Sequence, residues 1–309
     1  HDTVNDYHTS GAWNALGVVA VAARLRGLNR GQLRQAMGIA EYHGPRSQMM
    51  REIANPTMLH DGSGWGALAG ISAAILAENG FTGAPAITIE ADEVAQHWQD
   101  LGQFWQIEHQ YVKPYPICRW AHAAIDATSA LIRENDLTVE QIEAIQVNTF
   151  HEGASLFQGM PDDTSKAQYS LPFAVATMAA YGRIGVEHIT GVGLSDSFVA
   201  SIVERISVSE VARHSDRFPQ SRIADVTITA RDGRVFDSGD VHARGGPEAP
   251  MERYEVEEKF MEFAAPSLGD KRAGAIRDVV LRLTSANSKF SDLGALIYDA
   301  PHGIRRTLC

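Results

Sequence analysis

Cysteine is nearly absent: the 309 residues include two, Cys118 and Cys309. Two thiols in a chain of this size make no disulfide framework and supply too few ligands for an iron-sulfur cluster, and they fit a reduced, cytosolic compartment. Long apolar runs are missing as well. The longest, Ala15 to Ala23, falls well short of the roughly 18 to 20 residues of a membrane-spanning helix, so no membrane partner is expected. Basic clusters are also missing. With 27 basic against 38 acidic residues and a formal net charge of −11, the chain is a poor match for nucleic acid or an anionic surface, since both bind through concentrated positive charge. There is no HExxH, no paired CxxC and no aspartate-rich loop. The histidines His151, His214 and His242, among others, show no ligand spacing with cysteine or carboxylates, so a site without metal or cofactor is expected.

What is present is ample apolar content. At 44% hydrophobic residues, the chain is long enough for two compact domains. Residues 9 to about 105 read as helical. A small-residue helix over Ala12 to Leu25 ends at Gly27, and Asn29 caps a second helix over Arg30 to His43 whose apolar face is Leu33, Met37 and Ala40. Gly62 to Glu78 is rich in Gly and Ala, which lets helices approach closely, and Asp92 to Leu101 reads as a short helix. From about 106 the pattern becomes mixed. Ile142 to Phe150 alternates like a strand after a Thr138/Gln141 capping box, and Tyr169 to Tyr181 reads as a buried helix. Further strands are expected at Arg205 to Ser209, Ile223 to Ala230 and Val235 to Val241, the last two joined by a hairpin at Asp232-Gly233. Beyond Pro247 and Pro250, helices return over Glu252–Phe263, Arg272–Leu283 and Phe290–Ile297. The pattern predicts an α+β fold with a helical first domain over 1–105, an α+β unit over 106–250 and C-terminal helices over 251–309.

Chemistry is concentrated in VKPYPICRWAHAAIDA, Val112 to Ala127. Pro114 and Pro116 keep the lead-in extended, because each fixes its own φ and biases the preceding residue away from helix. A helix then starts, with Arg119 and His122 on one face of its first turn. Two readings are open. In one, Lys113, Cys118, Arg119 and His122 form a site. In the other, Lys113 is solvated, Cys118 fills space as a small hydrophobe and His122 caps a backbone group.

This run resembles the K-x-[YF]-P-x-[CH]-x-x-x-H-x-x-[IV]-D-A signature of the MmgE/PrpD family, which includes 2-methylcitrate dehydratase, cis-aconitate decarboxylase and iminodisuccinate epimerase. Three other segments agree in the same order: YHTSGAWNALGVVAVAARLRGL (Tyr7 to Leu28), KAQYSLPFAV (Lys166 to Val175) and HARGGPEAPMERYEVEEKF (His242 to Phe260). The resemblance implies a helical domain with the α+β unit inserted as a lid, the terminal helices folding back onto the helical domain, and a homodimer. It also implies that helices normally precede the one beginning near Tyr7, so the chain is expected to lack the first part of that domain.

Family chemistry begins with proton abstraction beside a carboxylate or carbonyl, which calls for a base, cations to stabilise the enolate-like oxyanion and an acid for a leaving hydroxyl. By resemblance, His8 is the pocket histidine for acid or base work, with Lys113 and His122 beside it. His60, Cys118, Arg119 and Thr57 contribute to substrate binding. Lys113 binds a carboxylate, and the lid presents it toward His8 and His60. The sequence departs from the family pattern at Thr57, which stands where a lysine is expected three positions before His60, and at Phe173, where some members carry tyrosine. The expected function is a carbon-oxygen lyase of the 2-methylcitrate dehydratase type acting on a small di- or tricarboxylate. A decarboxylase or epimerase on the same site and an inert family member are the alternatives.

Overall fold

The computed structural model describes residues 10–46 and 48–298. The chain divides into two compact units. One runs to Glu108 and includes Ser155–Phe157; the other holds His109–Ala154 and the chain from Gln158 onward.

The first unit is built on helices Ser10–Arg26, Arg30–His43, Met49–Ala54 and Ser63–Glu78. Gly27, in the left-handed region at φ +70°, ends the first helix. Asn29 then opens the second, its side chain accepting from Gln32 N at 2.9 Å while Gln32 Oε1 accepts from Asn29 N at 3.0 Å. Ala15, Val19, Ala36, Ile39, Ala40, Ala73 and Ala77 form the core between the first, second and fourth of these helices. Small residues permit that packing: a Cβ added at Gly70 would lie 2.5 Å from the Ala15 carbonyl oxygen, so glycine lets the first and fourth helices touch. The expected helix over Asp92–Leu101 is a 3-10 helix over Asp92–Trp98.

The second unit carries the sheet. Strand β1 (Ile142–Thr149) lies parallel to β2 (Ile206–Glu210) and antiparallel to β3 (Ile223–Ala230), which continues to β4 (Val235–Asp237) and also pairs β5 (Val241–His242). The order is β2-β1-β3-β4. The capping box at Thr138 is present, with Thr138 N donating to Gln141 Oε1 at 2.8 Å. A register shift between Ile142 and Ala144 sets the alternation that follows, and Ile145, Val147 and Thr149 point inward. The strand expected from Val235 to Val241 is broken in two. Gly239, at φ +61°, turns the chain out of the ladder, and β5 resumes pairing further along β3. Helix Leu171–Tyr181 is buried along nearly its whole length; it packs on β2 and on helix His122–Glu134, which in turn packs on β3.

Helices Arg253–Leu268, Asp270–Arg282 and Phe290–Tyr298 close the described chain. They group with the sheet-bearing unit. Ion pairs tie the first of them to other segments of that unit: Arg183 holds Glu262 at 2.8 Å and Arg244 holds Glu255. Among the described residues no helix is long and apolar enough to cross a membrane.

Candidate active site

Two sequence segments far apart in the chain meet the Val112–Ala127 run. The extended lead-in is fixed by Val112 N donating to Gly245 O at 2.8 Å. Only glycine fits there, because Gly245 has φ +99° and an added Cβ would lie 2.0 Å from the Val112 carbonyl oxygen. The loop itself is closed by Gly245 N to Ala249 O at 2.7 Å. On the other side, Cys118 N donates to Gln168 O at 2.7 Å, joining the run to the Lys166–Val175 segment.

His122, at the start of its helix, is fully buried. Its Nε2 lies 3.0 Å from Ile117 O, a carbonyl that accepts only, so Nε2 carries the hydrogen. Nδ1 is then left to accept from the Tyr111 hydroxyl at 2.7 Å. Burial pushes the imidazole pKa down to about 3, and the charges of Lys113, Arg119 and Lys259 push in the same direction. The expected catalytic residue His122 is thus a buried ring with both nitrogens engaged, which orients the Tyr111 hydroxyl and the Ile117 carbonyl.

The neighbours form a polar network. Tyr115 donates to Asp126 Oδ1 at 2.7 Å and Arg244 N donates to Asp126 Oδ2 at 2.8 Å. Burial raises the Asp126 carboxyl pKa, opposed by those two hydrogen bonds and by the Arg244 charge. Burial also raises the pKa of both phenols, Tyr111 and Tyr115, so each remains a protonated donor at neutral pH. The Arg119 guanidinium lies 3.7 Å from the centre of the Tyr111 ring, and its Nε is buried without a hydrogen-bond partner. Burial, and next the Arg119 charge, push the Arg222 pKa below its ordinary value. Charges of both signs meet here: Lys113, Arg119 and Lys259 act on His122, while Asp126 is held by Tyr115 and Arg244 and the Glu248 charge acts on Arg222.

The chain matches the MmgE/PrpD N-terminal domain over residues 1–100 and the MmgE/PrpD C-terminal domain over residues 115–285. It belongs to the MmgE/PrpD family. No curated protein matches it significantly in sequence. Of the site residues that family resemblance suggested, the sheet-bearing unit brings together Lys113, Cys118, Arg119 and His122. Thr57 and His60 lie exposed in the first unit, on the loop between helices Met49–Ala54 and Ser63–Glu78. His8 lies outside the described residues.

Sequence reasoning gave no role to Tyr111, Tyr115, Asp126, Arg222, Arg244 or Lys259. Signals for three of them were present: Asp126 is the acidic residue of the I-D-A ending, Arg244 precedes the glycine pair, and Lys259 is the lysine of the K-F pair in this MmgE/PrpD chain. Tertiary structure also gathers a group that spacing did not suggest. His214, Asp225 and Asp240 bring potential ligand atoms within 4.8 Å of one another. Arginines already neutralise them, with Arg213 pairing both aspartates and Arg217 holding Asp240 at 3.0 Å.

Proposed function

We propose that this MmgE/PrpD protein is an acid/base lyase that eliminates water from a small di- or tricarboxylate. The reading is supported by the match to both MmgE/PrpD domains and by Arg119, whose guanidinium lies against the Tyr111 ring with its Nε buried and unpaired, in a chain whose net charge is −11. A protein with that overall charge gains nothing from long-range attraction of an anion, so affinity must come from local ammonium and guanidinium groups. The same groups serve the chemistry. When the α-proton leaves, negative charge moves onto a substrate carboxylate, and cations held beside it stabilise that charge. Departure of the β-hydroxyl with a proton then yields the carbon-carbon double bond and water. Lys113 binds the carboxylate, Arg119 and the Tyr111 phenol shape the polar wall, and His122 holds Tyr111 in place. By family resemblance His8 is the acid or base.

Incubation with 2-methylcitrate and with cis-aconitate, followed by unsaturated-acid absorbance and carbon dioxide release, tests the reading. Absorbance without carbon dioxide is expected. In the same assay Lys113→Met should raise the Michaelis constant on the order of tenfold or more, since a charge-assisted contact contributes about 1.5 to 3 kcal/mol. No turnover of any offered polycarboxylate would reject the function, and an unchanged Michaelis constant would remove Lys113 from binding.

The proposal extends to a homodimer. Trp13 and Leu25 on the first helix and Trp65 and Leu68 on the fourth are large apolar side chains left exposed, which favours self-association. Sedimentation equilibrium should return a dimer mass; a monomer at every concentration would dismiss it.

A further inference from the structure

Val256, Phe260, Phe263 and Ala264 on helix Arg253–Leu268, together with Val112 on the extended lead-in, wall a cavity of about 390 Å³. Among the described residues, Lys259 is the one charged side chain that lines it. Helical spacing explains its place: Val256 stands three positions before it and Phe263 four after it, so the lysine lies on the apolar stripe of its helix. Helix and lead-in both belong to the sheet-bearing unit.

A helical lysine is ordinarily neutralised by a carboxylate one turn away. Lys259 has Glu255 and Glu262 at that spacing, and both are taken, Glu255 by Arg244 and Glu262 by Arg183. Glu258 is its immediate neighbour in sequence, a spacing at which helical side chains do not face each other. The ammonium is half-buried and makes no ion pair among the described residues. Such a setting favours the neutral amine, because apolar walls penalise the charge and no anion offsets the penalty. Burial, and next the charge of Lys113, accordingly lower its pKa. Other lysines differ: Lys271 and Lys289 are exposed, and Lys166 is bonded to Asp162, which raises its pKa.

We infer that Lys259 is a nucleophilic amine that captures a small apolar aldehyde as an imine in this cavity. A lysine attacks only in its uncharged form, and desolvation beside apolar side chains supplies that form at neutral pH. The Nζ lone pair forms the carbon–nitrogen bond while the carbonyl π pair moves to oxygen, and a proton passes from nitrogen to that oxygen to give a carbinolamine. The hydroxyl then leaves as water with the remaining Nζ proton, and the carbon–nitrogen double bond forms. Neither oxidant nor reductant is consumed. Phe260 and Phe263 offer ring faces and edges to the aldehyde's apolar group, and about 390 Å³ lies within the usual range for small-molecule sites. This capture is independent of the polycarboxylate reading.

Treatment of the full chain with benzaldehyde and sodium cyanoborohydride at neutral pH, followed by peptide mass spectrometry, tests it, since the hydride fixes each imine as a stable amine. Lys271 and Lys289 serve as references in the same molecule. Lys259 should be labelled on the order of tenfold faster than either, through its larger neutral fraction and the binding of the ring beside it. Its labelling should also reach a plateau at lower pH than theirs. Toluene, which can fill the cavity but cannot react, should slow labelling at Lys259 alone, and Ala264→Phe should do the same by occupying the space. Labelling of Lys259 at the rate of the reference lysines, or a rate that neither toluene nor Ala264→Phe slows, overturns the inference.

Discussion

His122→Ala should lower the stability of the sheet-bearing unit by about 3 kcal/mol or more, a larger effect than any direct loss of proton transfer at this position. The side chain is fully buried, so its removal leaves a void, a Tyr111 hydroxyl hydrogen without its acceptor and an Ile117 carbonyl without its imidazole donor. For a unit of this size that corresponds to a fall in melting temperature of roughly 6 to 12 °C. The pH dependence separates this role from acid/base work. The folded pKa is down to about 3, whereas an unfolded histidine titrates near about 6.5. Between those values the unfolded chain holds the proton and the folded one does not, so the contribution of His122 is fully present above about pH 6.5 and is lost as pH falls toward about 3. The slope is about 1.4 kcal/mol per pH unit. The gap between wild type and His122→Ala should therefore narrow between pH 7 and pH 5 in denaturation experiments. An imidazole resonance of His122 that titrates between pH 5 and 8 would contradict this, as would a variant that melts like wild type but turns over more slowly.

His8→Ala should reduce turnover on the order of a hundredfold or more with little change in melting temperature, the size expected when a positioned acid or base is lost. The family resemblance of the YHTSG segment supports this role. Chemical rescue by added imidazole provides a sharper test than loss alone, since a free base can enter the space that the side chain vacated. Unchanged turnover in His8→Ala would remove it from the mechanism. These two histidines carry opposite expectations: for His122 stability changes first, and for His8 the rate does.

Much of the fold was legible in the sequence because its signals are local. Asn29 with Gln32, Thr138 with Gln141 and Asp232-Gly233 are caps and turns set by residues two to four apart, and the structure places an element boundary at each. Where a local pattern failed, a neighbour decided. The apolar character of Val235 to Val241 reads as one strand, but Gly239 turns the backbone away and the ladder on β3 is rejoined only at Val241. The grouping of the terminal helices was similarly out of reach, since Arg183–Glu262 and Arg244–Glu255 pair groups far apart or in different elements.

The sequence by itself determined the family and the α+β class, because four ordered motifs and periodic apolar patterns are properties of the linear chain. It also determined the scarcity of thiols and the acidic balance. Only the tertiary structure decided which of the motif's residues are buried and what they bond. His122 and Lys113 have similar standing in the sequence, but one is buried with both nitrogens bonded and the other is exposed. Lys259 reads as a solvated helix lysine until the two nearby glutamates are found engaged by arginines from other segments. Charge and hydrogen-bonding capacity are written in the residue type. Burial and partner, which set the pKa and the free lone pairs, arise only when distant segments pack together.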